Sequence, residues 1–455
     1  MKMKKNKIRV ISAVVSAIML ASSASAFAKF DAYNDSDGFT LGHYEVEVNQ
    51  EQRSETEKLY EQRPKNERQF ENLSRGLVAV PGENGTLVSW RFLGTDSNSL
   101  TYNLYCSGEK LNDKPITTTN FFHTGASTNA EYTLKEVENG EETGVEYTTT
   151  AWDKNYIGFK VTEREGYNID DGAVADLDGD GEYEILLRRV PSMDVNTRTS
   201  YPVIEAYKTD GTHMWTIDIG PNEINEVDIN FLAYDMDGDG KAEVIMRSFE
   251  GTTDGKGNTT GDTNGDGITD YSKSESNLAI FKDRQYIVST PEFLSIYDGE
   301  TGEETDRTDL KPSKEPLSDW SYRYSDTGRL TKRASHYLFG LAYLDGVTPS
   351  VVMVRGAWDN VRAAAWHIED GKFKEDWVHN TENKDDVNSI WGACNHNLVT
   401  VDVDFDGKDE ILSGPMAIDH DGSEMYAVKV YDNDGNAQKL AHGDAFDVAK
   451  TDPDF

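Results

Sequence analysis

A chain of 455 residues is long enough for two or three domains, and 82 acidic against 45 basic side chains give it a formal charge of −37 at neutral pH. A surface that negative repels a phosphate backbone and excludes nucleic acid as a partner. Frequent Gly, modest Pro and plentiful Tyr and Trp suit a β-rich globular protein, and its only cysteines, Cys106 and Cys394, stand too far apart in the chain to predict a disulfide.

Residues 1–28 read as a secretory signal peptide. Lys2, Lys4, Lys5, Lys7 and Arg9 form a basic start, Val10 to Leu20 an apolar middle, and Ala26-Phe27-Ala28 a small-x-small cleavage site. The apolar run is short for a membrane span, and no other stretch is long enough. The expected product is secreted and extracellular, with no membrane span after cleavage. Residues 29–71 are polar, and Glu51 to Glu71 is dense in Glu, Gln, Arg and Lys without clear apolar periodicity. They read as a linker or a lone solvated helix.

From Arg75-Gly76-Leu77-Val78-Ala79-Val80 the pattern changes to short strands with turns. Thr86 to Leu93 is a strand with an inward Trp90, Thr101 to Tyr105 alternates, and Gly144 to Ala151 begins with the same alternation. Residues 72–158 are therefore expected to form a small Ig or fibronectin III-like β-sandwich, a spacer or docking platform without chemistry of its own.

Next comes Asp176-Leu177-Asp178-Gly179-Asp180-Gly181-Glu182-Tyr183-Glu184. Its carboxylates fall at positions one, three, five and nine of a tight Gly-bearing turn. Alternate residues of a curled loop point inward, so the three Asp converge, and the Gly residues permit left-handed backbone. Clustered carboxylates repel unless a cation sits between them, and hard oxygen donors at this density suit Ca²⁺ better than Zn²⁺. The Glu comes too early for an EF-hand, and apolar β-prone residues replace its helices. The unit is strand, calcium loop, strand. It recurs at Asp235, Asp237, Asp239 and Glu243, and again at Asp402, Asp404, Asp406 and Glu410. A variant has Asp262, Asn264, Asp266 and Asp270. Several Ca²⁺ ions are expected, tying strands together rather than touching substrate.

A second repeat overlaps the first. Alternating runs lead through Asp210-Gly211, Asp298-Gly299, Asp370-Gly371 and Asp434-Gly435, and Asp-Gly between such runs signals a hairpin. Hairpins recurring every few dozen residues indicate a β-propeller over residues 159–455. No blade buries its own faces, so neighbours must stack. Five or six candidate blades fit, the chain stops inside a loop-like stretch, and further repeats are expected after Phe455.

Several stretches resemble bacterial rhamnogalacturonan lyases of polysaccharide lyase family 11. They include Arg75 to Val80 with Ser89 to Asp96, Ala173 to Glu184, Asp235 to Glu243 with Gly251 to Gly255, and Leu341 to Gly346. Asn395-His396-Asn397-Leu398, Met416 to Gly422 and His442-Gly443-Asp444-Ala445 complete the match. The resemblance runs from about residue 72 to the end. It implies an all-β protein, the β-sandwich followed by a calcium-binding β-propeller that is eight-bladed in the family and incomplete here. It also implies an endolyase that cleaves the rhamnose–galacturonate backbone of pectin by β-elimination. The partner would be rhamnogalacturonan I, handled by a monomer. Carried over position by position, His396, His442 and Asp444 match metal ligands near the cleft.

Two positions depart from that pattern. The family resembles Asn-Asp before the first loop, its Asn reaching substrate, where this chain has Asp170-Asp171. After the loop the family shows Lys-Trp-Asp-Pro, where this chain has Arg188-Arg189-Val190-Pro191. Asp170 adds negative charge beside an anionic sugar, and Arg188 or Arg189 would compensate by pairing with the uronate carboxylate. The resemblance leaves the catalytic base unnamed. The rival readings are a non-catalytic pectin-binding or cell-surface protein on the same scaffold, and an adhesion module in which calcium serves rigidity alone.

Overall fold

The computed structural model describes residues 29–34, 40–45, 58–64, 66–125, 129–192, 201–223, 230–282, 284–320, 325–356, 360–381, 386–431, 436–440, 442–443, 446 and 448. The leader expected at 1–28 and the expected ligand Asp444 lie outside them. Residues 29–71, read from sequence as a linker or helix, begin with a hairpin instead. Strand β1 (Lys29–Asn34) pairs with β2 (Thr40–Glu45), across a stretch whose Asp-Ser-Asp-Gly composition is itself a turn signal.

A β-sandwich follows. Its strands are β3 (Val78–Gly82), β4 (Gly85–Ser89), β5 (Thr101–Cys106), β6 (Glu109–Lys110), β7 (Asn120–Thr124), β8 (Glu131–Glu138) and β9 (Glu141–Thr150). One sheet has the order β3-β4-β7, the other β6-β5-β8-β9. Alternation decides which side chains enter: Tyr132 and Leu134 are buried, while Glu131 before them is exposed and Thr133 between them half-buried. Trp90 packs edge-on against Tyr102 at 5.2 Å, inside a core with Ala79, Val88 and Leu104. Each such aliphatic side chain contributes about 1.5–3 kcal/mol through burial. Cys106 is half-buried and free.

The rest of the chain forms four-stranded antiparallel sheets, one after another, as propeller blades do. The first is β10 (Tyr167–Ala175), β11 (Glu184–Pro191), β12 (Val203–Tyr207) and β13 (His213–Asp218). The second begins with β14 (Phe231–Tyr234) and β15 (Glu243–Phe249). A separate hairpin, β16 (Leu278–Phe281) with β17 (Arg284–Ile287), is inserted before the blade resumes with β18 (Glu292–Tyr297) and β19 (Glu304–Asp309). A helix, α1 (Thr327–Ser335), capped by Asp326, leads to the third blade: β20 (Tyr337–Ala342), β21 (Ser350–Arg355), β22 (Arg362–Glu369) and β23 (Lys372–Asn380). The fourth is β24 (Val399–Val401), β25 (Glu410–Leu412), β26 (Met416–Ile418) and β27 (Glu424–Ala427), and a final pair, β28 (Lys429–Tyr431) with β29 (Ala437–Lys439), follows. The hairpins expected at the Asp-Gly turns are present as β12-β13, β18-β19, β22-β23 and β28-β29.

Blade stacking explains the unbroken apolar runs. On β15, Val244 and Met246 pack with the first blade's Leu186 and Ile204. Ile245, pointing the other way, packs with Val351 and Met353 of the third. Val352 and Val354 then face Ile411 and Met416 of the fourth. A strand buried on both faces has no polar side to alternate with.

Residues 60–64 and 66–74 cross the turns of all four blades. Tyr60 sets its ring edge on Phe405. Asn66 donates to Gly407 O at 2.9 Å, and Arg68 grips Asp409 with two nitrogens. Gln69 bonds Val347 O through its amide and Asp235 O through its side chain. Phe70 lies against Tyr343, and Ser74 N donates to Gly181 O at 2.9 Å. This strap is the part of the sequence least expected to carry structure.

Candidate functional site

Each first strand of blades one, two and four ends in an acidic loop, and each second strand starts at the loop's terminal Glu. In the first loop, ligand oxygens of Asp176, Asp178 and Asp180 lie within 4.8 Å of one another. Asp176 receives the N–H groups of Gly179, Asp180 and Gly181, while Glu184 turns back to receive Leu177 N at 2.8 Å. Gly179 and Gly181 hold φ of +78° and +87°, which only Gly adopts without cost. The second loop repeats the pattern with Asp235, Asp237 and Asp239 clustered and Glu243 receiving Met236 N. In the fourth blade Asp402, Asp404 and Glu410 cluster, and Glu410 receives Val403 N. Here Phe405 replaces the first Gly yet keeps φ at +66°, a left-handed conformation that is strained for a bulky side chain.

The electrostatics of these loops call for a cation. Burial, with neighbouring Asp charges adding, pushes Glu243 and Glu410 up to about 8. Asp176, Asp235 and Asp402 are raised as well, burial first. Asp178 Oδ1, Asp402 Oδ1 and Glu410 Oε1 are buried with no hydrogen-bond partner among the described residues. Converging, partnerless carboxylate oxygens fit Ca²⁺. The fourth expected loop is different. Asp262 receives Gly265 and Gly267 N–H as the others do, and Asn264 and Asp266 follow in the turn. But Asp270 caps the next turn through Ser272 and pairs with Lys273 at 2.9 Å, so it does not close the loop.

The residues expected to meet substrate stand at the other ends of the same strands. Asp170 lies five residues before the end of β10 and Arg188 four after the start of β11, which at about 3.3 Å per residue is roughly 15 Å from the acidic loop. A bulge between Ile169 and Asp171 leaves Asp170 out of the ladder, and its carboxylate binds the buried Arg188, with Asp171 at 3.7 Å. Arg189 turns inward instead. It donates to Glu205 at 3.0 Å and to Thr162 O at 2.7 Å, and Glu205 is fully buried. Burial works against that carboxyl, but Tyr207 and Arg189 hold it below the usual range. Arg189 thus serves the blade.

His396 and His442, far apart in sequence, come together with ring centroids 4.8 Å apart. His336, which ends α1, stands 5.4 Å from His396 on its other side. His442 Nδ1 donates to Cys394 O, and Gly443 N to Asn395 Oδ1 at 2.7 Å. His336 and His396 precede the first strands of blades three and four, as Asp170 lies in the first half of the first strand of blade one, and His442 follows β29. No sequence signal pointed to His336; only the approach of blades three and four brings it in.

A buried charge cluster was also illegible. Glu292, at the start of β18, binds Arg355 at 3.0 Å and Arg247 at 3.3 Å, with Lys314 at 3.7 Å. Arg247 also pairs with Glu223 and lies 4.4 Å over the Tyr337 ring. Burial opposes ionisation of Glu292, yet Arg355, Lys314 and Arg247 hold it down to about 2.

Comparison with known proteins bears on both parts of the chain. Residues 158–455 match rhamnogalacturonan lyase family 11, C-terminal domain, and residues 68–152 match the rhamnogalacturonan I lyases beta-sheet domain. Rhamnogalacturonan endolyase YesW of Bacillus subtilis (strain 168) is 37% identical over 401 residues, 85% of this chain and 60% of its own length. Rhamnogalacturonan exolyase YesX of the same organism is 37% identical over 403 residues, 85% of this chain and 61% of its own. The chain therefore spans about three-fifths of the curated relatives it matches. The crystal structure of exotype rhamnogalacturonan lyase YesX superposes with a TM-score of 0.70 over 84% of this chain and 61% of that one. That of YesW gives 0.69 over 83% and 62%.

Proposed function

The chain belongs to rhamnogalacturonan lyase family 11, and from that premise we propose that the protein is a secreted, monomeric rhamnogalacturonan lyase, stabilised by calcium, that cleaves the rhamnose–galacturonate backbone of rhamnogalacturonan I by β-elimination. The observation that carries this reading is the joint match of both domains, in order, at 37% identity to two lyases.

The chemistry sets two demands. The C5 proton of galacturonate sits beside a carboxylate and is poorly acidic, so that carboxylate must be neutralised and a base must take the proton. Calcium, when bound, supplies positive charge that an acidic scaffold otherwise lacks. Arg188 is the chain's own contribution beside the bulge of β10: its guanidinium, held by Asp170 through one nitrogen, is the cation a uronate carboxylate would pair with. Asp170 then acts as a stand-in that an incoming uronate must displace.

The test is incubation of the full-length protein with rhamnogalacturonan and Ca²⁺, following ultraviolet absorbance of the unsaturated uronate. Absorbance should rise. Early loss of viscosity marks internal cleavage, as in the endolyase relative, whereas release of short products alone marks action from the ends. Retention of the polymer without any absorbance change would overturn the lyase reading and leave a binding protein; absence of both would overturn either.

A further inference from the structure

We propose that the fourth blade holds a metal site of a different class from the loops of the first two: Asp406, Glu410 and His420 bind a borderline divalent ion of the Mn²⁺, Co²⁺ or Zn²⁺ kind. The proposal rests on the reading of the acidic loops as cation sites.

Ligand atoms of Asp406, Glu410 and His420 lie within 4.8 Å of one another, and Glu410 also belongs to the set with Asp402 and Asp404. The clusters in blades one and two consist of Asp alone. His420 comes from the turn between β26 and β27, so the imidazole reaches the loop from across the blade. Glu410 is fully buried. Its Oε2 receives Val403 N at 2.7 Å, while Oε1 has no partner among the described residues and is the oxygen offered to the cluster. Asp402 Oδ1 is equally bare.

The ring is placed for the task. His420 Nδ1 is 2.7 Å from Asp419 Oδ1 and 3.6 Å from Asp406 Oδ2. Nε2 lies 2.8 Å from Lys408 Nζ and accepts from that ammonium, so the ring proton sits on Nδ1. An ion entering beside Glu410 meets carboxylate oxygens and, after the neutral ring moves its proton from Nδ1 to Nε2, one imidazole nitrogen. The Lys408 side chain, half-buried and long, then turns outward; no proton is gained or lost. Ca²⁺ takes oxygen ligands, whereas imidazole favours the transition metals. In the first blade the residue that follows the third strand is a lysine, and Lys208 binds Asp178 of the loop.

The probe is Co²⁺, whose visible absorption reports nitrogen ligation, added to the chelator-stripped full chain in the presence of excess Ca²⁺. One equivalent should bind and resist displacement by Ca²⁺. His420→Ala and His420→Gln should each weaken it by about tenfold or more, while bound calcium, counted by elemental analysis, does not fall. Lys408→Ala, which removes the competing ammonium, should tighten Co²⁺ and carries the test should both histidine variants misfold. Equal Co²⁺ affinity in all variants, or full displacement by Ca²⁺, overturns the proposal while the calcium loops stand. Failure of Ca²⁺ itself to bind overturns both.

Discussion

Asp170 and Arg188 show how one residue's reading changes once its neighbour is seen. From sequence, Asp170 added an unwelcome charge and Arg188 a hopeful one; in the fold they neutralise each other. Asp170→Asn should therefore leave Arg188 cationic and less engaged, and tighten binding of the polyuronate, most clearly at low salt. Affinity electrophoresis in rhamnogalacturonan checks it; retardation equal to or weaker than wild type would contradict it. Glu292→Gln should cost about 3–5 kcal/mol, because it strands buried cations, and a shift of the urea midpoint reads this out. The native pKa of Glu292 is depressed to about 2. Its stabilisation is therefore complete above the unfolded value of about 4.3 and is lost as pH falls toward 2. Acid unfolding should be less steep in Glu292→Gln over that window. The clustering of the loop Asp carboxylates was legible because those residues are neighbours in the chain. Glu292, Arg355 and Lys314 meet only after blades stack, and nothing local marks them.

At the scale of elements, the loops join each blade's inner pair of strands, so their charge state is a property of the sheet. Without metal, Glu243 and Glu410 keep their protons up to about 8. The folded state then holds more protons than the unfolded state from about 4.3 upward, and stability falls as pH rises through that window. A chelator should accordingly lower the melting temperature more at pH 8 than at pH 5, and scanning calorimetry with and without Ca²⁺ would show it. An equal loss at both would mean that the loops stand without cations. Asp-Gly turns announced the outer hairpins because turn chemistry is local. The hairpin β1-β2 escaped notice because polar composition outweighed a short alternation. The loop at Asp262 was read too generously: a matching first half does not commit Asp270, which finds Ser272 and Lys273 nearer.

Across the whole molecule, the strap at residues 60–74 is the feature most at odds with its composition. Its partners are backbone oxygens of turns in separate blades, so no single stretch of sequence could disclose them. The strap's footing is the loops themselves. Stripping metal should speed hydrogen exchange at the amide of Ser74, which donates to Gly181 O in the first acidic loop, before the sandwich core exchanges. Unchanged protection there would uncouple strap from loops. Arg68→Ala should cost about 1 kcal/mol or less, since that ion pair is partly exposed.

The strap also bears on the order of assembly. Asn66 and Arg68 find their anchors 341 residues downstream, at Gly407 and Asp409. A ribosome delivers this segment first, yet its seat does not exist until the fourth blade has been made. Refolding from denaturant should show docking of the strap as a late kinetic phase that Arg68→Ala slows and that leaves the sandwich's own recovery untouched.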